Sequence, residues 1–417
     1  MDFTDRLKLN EKSMKFVVFD DRCWENFFPV TLTRSTGDLR VGILKLRQRI
    51  ASYFALEETN VIISEKLKKI YQERHPDWQI NTLRNIDTIF INSRLKINEG
   101  LKKKILNLSK NSCLLCGDDI LAARFIPETQ KISTENFSSV YKNLKKNGTE
   151  KGFCWQYLWE LISENSDYIL HDFQEYFFDK DNYFETETGV TVLNPYNVWI
   201  GEGTEIKPGV VIDATEGPVI LDENVAVMSN SVIIGPVYIG KKSIIKVGTK
   251  IYQGTSIGPV CKIGGEVEET IIQGFSNKQH DGFLGHSYLG EWINMGADTN
   301  NSDLKNNYKN VKIFFYPKKD KVDSQFQFLG SIIGDHSKTA INSTINAGAV
   351  IGIGCNLFGS DTISDFVPSF HWGTQSKYEK HQIDKFFETA NLMKQRRCLN
   401  LTDNEKELYT KISQHNC

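Results

Sequence analysis

The feature that most constrains this chain is a six-residue period running through its second half. Ile200, Ile206 and Ile212 fall at steps of six. After a slip of three residues the step resumes at Leu221, Val227, Ile233, Ile239, Ile245, Ile251, Ile257 and Ile263. It returns at Phe283, Leu289 and Met295, and again at Ile333, Thr339, Ile345, Ile351 and Leu357, with Thr339 the one polar member. Gly often follows directly, as at Gly201, Gly240, Gly258, Gly264, Gly290, Gly296, Gly334 and Gly352. A period of six matches neither a helix nor a simple amphipathic strand. It fits a triangular β-solenoid in which each hexad makes one short strand and one turn, and three hexads close a coil. The repeated aliphatic side chain then points into the prism, which here spans residues 195–372. A β-sandwich would space its strands irregularly.

The breaks in the period carry information as well. Residues 264–282 leave the register. Residues 298–327 form an insertion whose VKIFFY and SQFQF stretches read as the two strands of a hairpin, and insertions in solenoids often build the binding face. This insertion is expected to close over a bound substrate. From residue 373 the chain turns polar, and KHQIDKFFETANLMKQRR has the apolar spacing of an amphipathic helix. A helical tail over 373–417 is expected to cap the open solenoid end, where strand edges would otherwise be exposed.

Ahead of the repeats, KFVVFDD, NVIISE, DTIFINSRL and SCLLCGDD read as strands, and LRVGILKLRQRIASYF, EKLKKIYQER and EGLKKKILNLS as helices. Alternation of this kind implies a parallel, helix-flanked α/β sheet of Rossmann-like type over residues 14–190, with 1–13 as an extension. A length of 417 residues suits two such domains. The 50 Lys and Arg nearly cancel the 52 Asp and Glu, so charge offers no case for nucleic acid or an acidic membrane surface. No apolar run approaches the ~20 residues of a membrane helix. The opening residues lack the apolar core of a secretory signal, which makes the cytoplasm the expected compartment. Cys113-Leu-Leu-Cys116 has no second pair to complete a zinc site and reads as two buried strand thiols.

Two stretches can carry chemistry. The first, FDDRCWENFFPVTLTRSTGDLRVG, joins a strand to a predicted helix, where open α/β sheets bind ligands. Asp21, Thr33, Arg34, Asp38, Arg40 and Gly42 lie in it, and Arg side chains with helix-start amides suit phosphate. The alternative is that the arginines tie loop to sheet through carboxylates. The second, SNKQHDGFLGHSYLGEWINMGADTNNS, sits where the hexad register breaks and resumes. His280 there is outside the prism and can serve as a general base, an ordinary role for imidazole. His286 competes for that role, but follows Gly285 at a turn and is expected to face solvent.

The hexad region resembles the left-handed β-helix acyltransferases. An α/β domain joined to such a solenoid resembles the bifunctional bacterial enzymes that acetylate glucosamine-1-phosphate with acetyl-CoA and then transfer uridylyl from UTP. His280, Phe283-Leu284-Gly285, Leu289-Gly290 and Asn294-Met295-Gly296-Ala297 match the acetyltransferase motif without a gap. HDGFLG, GEWINMGADTNNSDLKNNY, GDHSKT and FFPVTLTRSTGDLRVGIL resemble a divergent, Bacteroidetes-type branch of sugar nucleotidyltransferases. The resemblance implies His280 as catalytic base. It implies Asn294, Phe283, Lys250 and Lys278 on the sugar side, and Ala297, Thr299, Lys338 and Ala340 on the acetyl-CoA side. Two departures stand out. Of the family's Gly-x-Gly-Thr-Arg loop only Thr33-Arg34 remains. The strand that should end in a metal-binding Gly-Asp ends in Asn92-Ser93, with Gly117-Asp118 a substitute that would place Mg²⁺ at Asp118.

The expectation is therefore an acetyl-CoA-dependent N-acetyltransferase of an amino-sugar phosphate, with nucleotidyl transfer from UTP or dTTP in the α/β domain. A homotrimer is implied, with small-molecule partners and neither nucleic acid nor membrane. Two rivals are a nucleotidyltransferase that uses the β-helix only for trimerisation, and an inactive regulatory homologue.

Overall fold

The computed structural model describes residues 15–56, 60–128, 131–150, 152–178, 180, 182, 184–374 and 376–414. The expected extension over 1–13 lies outside these. The chain divides into two compact units. The first comprises Met1–Phe27, Thr33–Leu39 and Lys45–Gln156; the second comprises Phe28–Leu32, Arg40–Leu44 and Tyr157–Cys417. Residues 157–190, expected with the α/β domain, thus belong to the second unit.

The first unit is built on a seven-stranded sheet. Lys15–Phe19 pairs in parallel with Asn60–Ile62 on one side and with Thr88–Asn92 on the other. The sheet is mixed, not wholly parallel as the alternation suggested. Asp119–Phe125 runs antiparallel to both Thr88–Asn92 and Ser112–Cys116. The cause is local: Gly117 takes φ +60° and lets SCLLCGDD turn back on itself as a hairpin. Helix Glu99–Leu106 shows how the sequence sets its elements. Asn98 caps it by accepting from the Leu101 amide at 2.8 Å, Glu99 sits in its first turn and Lys103 and Lys104 in its last. Its Leu101 and Ile105 pack with Ile50, Phe54, Ile89 and Ile91 in a shared apolar cluster.

LRVGILKLRQRIASYF is a helix only from Leu46 to Phe54. Arg40–Val41 and Leu44–Lys45 form a small two-stranded pair before it. Gly42, at φ +63°, is the reason, because it bends the chain where an unbroken helix was expected.

In the second unit, three sheets of parallel strands make the sides of a left-handed β-helix. The longest runs from Val198–Ile200 to Phe366–Val367 through nine strands. Register follows the repeat, as in Val227 beside Ile245, Ile233 beside Ile251 and Ile239 beside Ile257. The prism interior is one continuous apolar cluster from Val198 to Val367. The repeat therefore specifies both the strands and the core, since each hexad supplies one inward side chain to the stack.

The register is regained one residue later than the hexads imply. Leu284 is fully buried inside the prism, whereas Phe283 lies outside it, half-buried. Between Ile263 and this point the inward places are taken by Val267, Ile272 and Lys278, so the coil there is shortened.

The insertion does contain a hairpin, but its second strand is Asp320–Asp323, paired with Lys312–Phe315, and not SQFQF. A tight turn over Tyr316–Lys318, with Lys319 at φ +51°, closes it early. Its Phe314 stacks on Phe366 of the solenoid at 3.8 Å.

The tail departs from a simple end cap. Tyr378–Lys380 pairs antiparallel with His371–Gly373 on the last coil and covers that edge. Helices Ile383–Gln395 and Asp403–Gln414 instead pack along one corner of the prism. There Phe275, Trp292, His336 and Phe370 all take positive φ and rise as a ladder, with Trp292 stacked on Phe275 at 4.6 Å. Phe386 meets His336 at 5.6 Å and Phe370 at 5.0 Å, and Tyr409 meets His336 at 5.5 Å. A buried Lys394–Glu405 pair joins the two helices.

Candidate functional site

The first unit gathers its polar groups at the C-terminal edge of Lys15–Phe19, the ligand side of an open α/β sheet. Asp20 turns inward. It accepts from Ser93 Oγ at 2.7 Å, Ser35 Oγ at 2.9 Å and the Thr36 amide at 3.2 Å. Burial pushes its carboxyl up to about 7. Asp20 thus ties the long loop to two strand ends.

Asp21 faces a cavity of about 140 Å³ together with Arg22, Cys23, Asp118, Asp119 and Tyr141. Asp118 is exposed, in the hairpin turn at the mouth of this cavity. Two residues that sequence reasoning passed over organise the place. Arg94, its side chain wholly buried, reaches both Asp21 Oδ2 (2.5 Å) and Asp119 Oδ1 (2.7 Å). Asp119 also accepts from Gln156 Nε2 at 2.5 Å. Arg94 lies two residues past the strand end where a metal-binding acid was sought, so the signal was present with its sign reversed.

The other expected nucleotide residues do not converge here. Asp38 is buried against Lys45 at 3.0 Å, Arg47 at 2.9 Å and the Tyr71 hydroxyl. Burial opposes its charge, but Lys45 and Arg47 outweigh that and hold the carboxyl well below the usual range. Thr33 and Arg34 are buried in the same loop. Arg40 and Gly42 belong to the second unit. The Tyr288 hydroxyl donates to the Arg40 carbonyl at 3.1 Å and accepts from its amide at 3.0 Å, and the Arg40 guanidinium lies 5.5 Å from the Tyr238 ring centre. A side chain at Gly42 would come within 2.6 Å of Asp172. Of the helix-start cluster expected from Arg34, Asp38, Arg40 and Gly42, Asp38, Arg40 and Gly42 are thus each taken up in packing, and the arginine that meets Asp38 is Arg47, which lies outside the expected Arg34 and Arg40 pair.

On the β-helix, His280 is exposed at the turn between Asn277–Lys278 and Phe283–Gly285. Its ring has no hydrogen-bond partner among the described residues. Asn294 stacks one coil up, bridged to Asn277, whose Nδ2 lies 3.4 Å from Asn294 Oδ1. Lys338 continues the same ladder. On the other side of the His280 turn, Lys250, Glu266 and Phe283 follow one another in register, with Lys250 paired to Glu266 at 3.0 Å. The Phe283 amide donates to Asn300 Oδ1 at 2.8 Å. His280 thus stands between two outward ladders that carry Asn294 and Lys338 on one side and Phe283 and Lys250 on the other.

Two expected contacts, Lys278 and Thr299, are interior. Lys278 occupies the inward register of Ile263 and is 2% exposed. Its ammonium bonds the carbonyls of His280 at 2.9 Å and Gly264 at 3.3 Å, and burial pushes its pKa down to about 8. It acts on the site by holding the His280 backbone. The Thr299 hydroxyl meets Thr339 Oγ1 at 2.9 Å, which explains the one polar residue in the hexad series. Thr299 also reaches the Ala340 carbonyl at 3.3 Å, while the Ala297 carbonyl accepts from the Asn342 amide at 2.8 Å. The Lys338 ammonium bonds the His336 carbonyl at 2.9 Å, and burial pushes it down to about 8.

His286 does not face solvent as expected. It is half-buried, with Nδ1 2.8 Å from Asp303 Oδ2 and its ring stacked on Phe328 at 5.4 Å. It clasps the base of the insertion.

The chain thus has two parts, an α/β unit and a hexapeptide-repeat β-helix. Residues 16–177 match the family described as sugar nucleotidyl transferase. The chain is similar to the bifunctional protein GlmU of Synechococcus elongatus, 28% identical over 200 residues, which cover 43% of this chain and 40% of that protein. It is also similar to a bifunctional sugar-1-phosphate nucleotidylyltransferase/acetyltransferase of Sulfurisphaera tokodaii, 35% identical over 34% of this chain and 36% of that one. The chain spans less than half the length of these relatives. Among solved structures, a UDP-N-acetylglucosamine acyltransferase from Campylobacter jejuni matches 56% of this chain and 94% of its own at 12% identity, with a TM-score of 0.27. The resemblance to the bifunctional family and its sugar nucleotidyltransferase branch thus rests on the chain's own motifs and on these relatives.

Proposed function

We propose that the β-helix transfers an acetyl group from acetyl-CoA to the amine of an amino-sugar phosphate, and that the α/β unit transfers UMP or dTMP to a sugar-1-phosphate. The observation that carries the first half is the exposed His280 beside the Asn277–Asn294 stack. His280 takes the proton as the sugar nitrogen attacks the thioester carbonyl, and the thiolate of coenzyme A leaves and is protonated. Asn294 and Phe283 hold the sugar, and backbone amides of the adjoining coil stabilise the oxyanion. Lys278 acts indirectly, through the His280 carbonyl. In the α/β unit the cavity beside Asp21 and Arg22 receives the nucleotide. Every acceptor position on Asp21 is taken, so the residues at the cavity floor do not fit a bound Mg²⁺.

The relatives' double activity supports both halves. Val247 and Ile341 are 62% and 66% exposed on the corner that carries His280. Apolar residues there support a homotrimer that closes cyclically, with the site between neighbours. Seven free cysteines among the described residues favour a reducing cytoplasm. The test is thiol release from acetyl-CoA with glucosamine-1-phosphate as acceptor, run beside sedimentation velocity. Activity that His280→Ala retains, or a monomer at micromolar concentration, overturns the acyl-transfer reading.

A further inference from the structure

The carboxylates at the floor of the α/β cavity already hold a cation, and it is part of the chain. Ionised Asp offers about four lone-pair positions. Asp21 has all four occupied: Oδ1 accepts from the Cys23 amide at 3.0 Å and Arg94 Nε at 2.9 Å, and Oδ2 accepts from Arg94 Nη2 at 2.5 Å and Asn92 Nδ2 at 2.8 Å. Asp119 gives Oδ1 to Arg94 and Oδ2 to Gln156. Arg94 Nη1 is held by the Trp155 carbonyl at 2.5 Å, so the guanidinium is fixed on each of its nitrogens.

Asp21, Cys23 and Asp119 lie close enough to suggest a metal cluster. The chemistry argues otherwise. Mg²⁺ needs near-octahedral oxygen ligands at about 2.0–2.1 Å, and two carboxylates closed by an arginine cannot turn to offer them. Burial pushes the Cys23 thiol up to about 11, so it stays neutral and is a poor ligand. Removing one partner of such a buried set would leave an uncompensated charge, which locks the arrangement in place.

We infer that Arg94 is a resident internal cation bridging Asp21 and Asp119, which closes this pair to divalent metal and leaves the cavity to receive nucleotide phosphates without a metal bound there. This rests on the reading that the cavity takes a nucleotide, and the test separates the two. Mn²⁺ is titrated into the full chain without nucleotide, and free Mn²⁺ is followed by electron paramagnetic resonance. No site tighter than about 100 μM that depends on Asp21 or Asp119 is expected, the range in which a built oxygen cage would bind. A stoichiometric site lost in both Asp21→Asn and Asp119→Asn overturns the inference; one that survives both lies elsewhere and agrees with it. Arg94→Met, with its fold checked by circular dichroism, should create a Mn²⁺ site that wild type lacks. If that variant does not fold, the wild-type titration still decides. UTP affinity is then compared in excess EDTA and in excess Mg²⁺. Values within about threefold are expected, and a loss beyond about tenfold in EDTA counts against the inference. Absence of UTP binding in both conditions sinks the nucleotide reading and leaves the Mn²⁺ result standing.

Discussion

The two candidate sites hold their polar groups in opposite ways. At the floor of the α/β cavity the carboxylates are answered from within the chain, Asp21 by four donors and Asp119 by Arg94 and Gln156, and away from the cavity Asp38 is met by Lys45 and Arg47. At the β-helix turn the His280 ring stands exposed, and its place is set by backbone register and by the Lys278 ammonium on its carbonyl. A non-repetitive sheet must fix a functional side chain with other side chains. A solenoid fixes it by counting residues along the coil, and can leave the reactive group open. Substitutions should therefore act locally on stability in the first unit and on chemistry in the second.

The largest expected effect sharpens that contrast. His280→Ala should lower acetyl transfer by about 10²–10⁴-fold, the ordinary contribution of a general base, with little change in melting temperature. His286→Ala should leave the rate within a few-fold, because that ring is spent on Asp303 and Phe328. Thiol-release kinetics beside thermal melts would read both, and equal losses in the two variants would break the assignment.

Next in size is Asp38→Ala. It removes a partner of buried Arg47, of Lys45 and of Tyr71, and breaking such a set costs about 3–5 kcal/mol. Denaturant unfolding should show the loss. UTP binding to the folded fraction should persist, since Asp38 lies in the loop's own network and not at the cavity. A folded variant that cannot bind UTP would return Asp38 to the phosphate-binding role first read into it.

The third test concerns register. Leu284→Ala should cost about 2–5 kcal/mol as a cavity inside the prism, whereas Phe283→Ala, on the outer face, should cost less than about 1 kcal/mol and act instead on sugar affinity. Reversal of the two would put the coil back in the register the hexads imply.

That pair also shows how much was legible in the sequence. Six-residue spacing located the β-helix and nearly all its inward residues, because one aliphatic per hexad is both the signal and the core. It misplaced Phe283 because the coil after Ile263 is shortened, and because the inward residue there is Lys278, which a search for apolar side chains passes over. His280 and Asn294 were readable as a motif tied to that repeat. Arg94 and Asp119 were not. They meet each other and Asp21 only when three strand ends converge, with Arg94 73 residues from Asp21 and 25 from Asp119, and no short-range pattern encodes such a meeting.

Lys278 supplies the last and smallest test, on a charged group that the shortened coil places inside the prism. Burial lowers its pKa from 10.5 to about 8, so the folded chain binds this proton less readily than the unfolded chain does. The associated stability is fully present above pH 10.5 and is lost as pH falls through 8. Raising the pH across that window should therefore stabilise wild type relative to Lys278→Met, by up to about 3 kcal/mol, at about 1.4 kcal/mol for each tenfold change in proton affinity. Lys338 shares the depressed value, but it is present in both proteins and cancels in the difference. Urea unfolding of the two at pH 8 and pH 10.5 measures it. At the lower pH the variant should also turn over more slowly, since nothing then holds the His280 carbonyl from within. A stability difference that stays flat across the window would mean that the ammonium reaches water, and that the coil carrying His280 is positioned by backbone pairing alone.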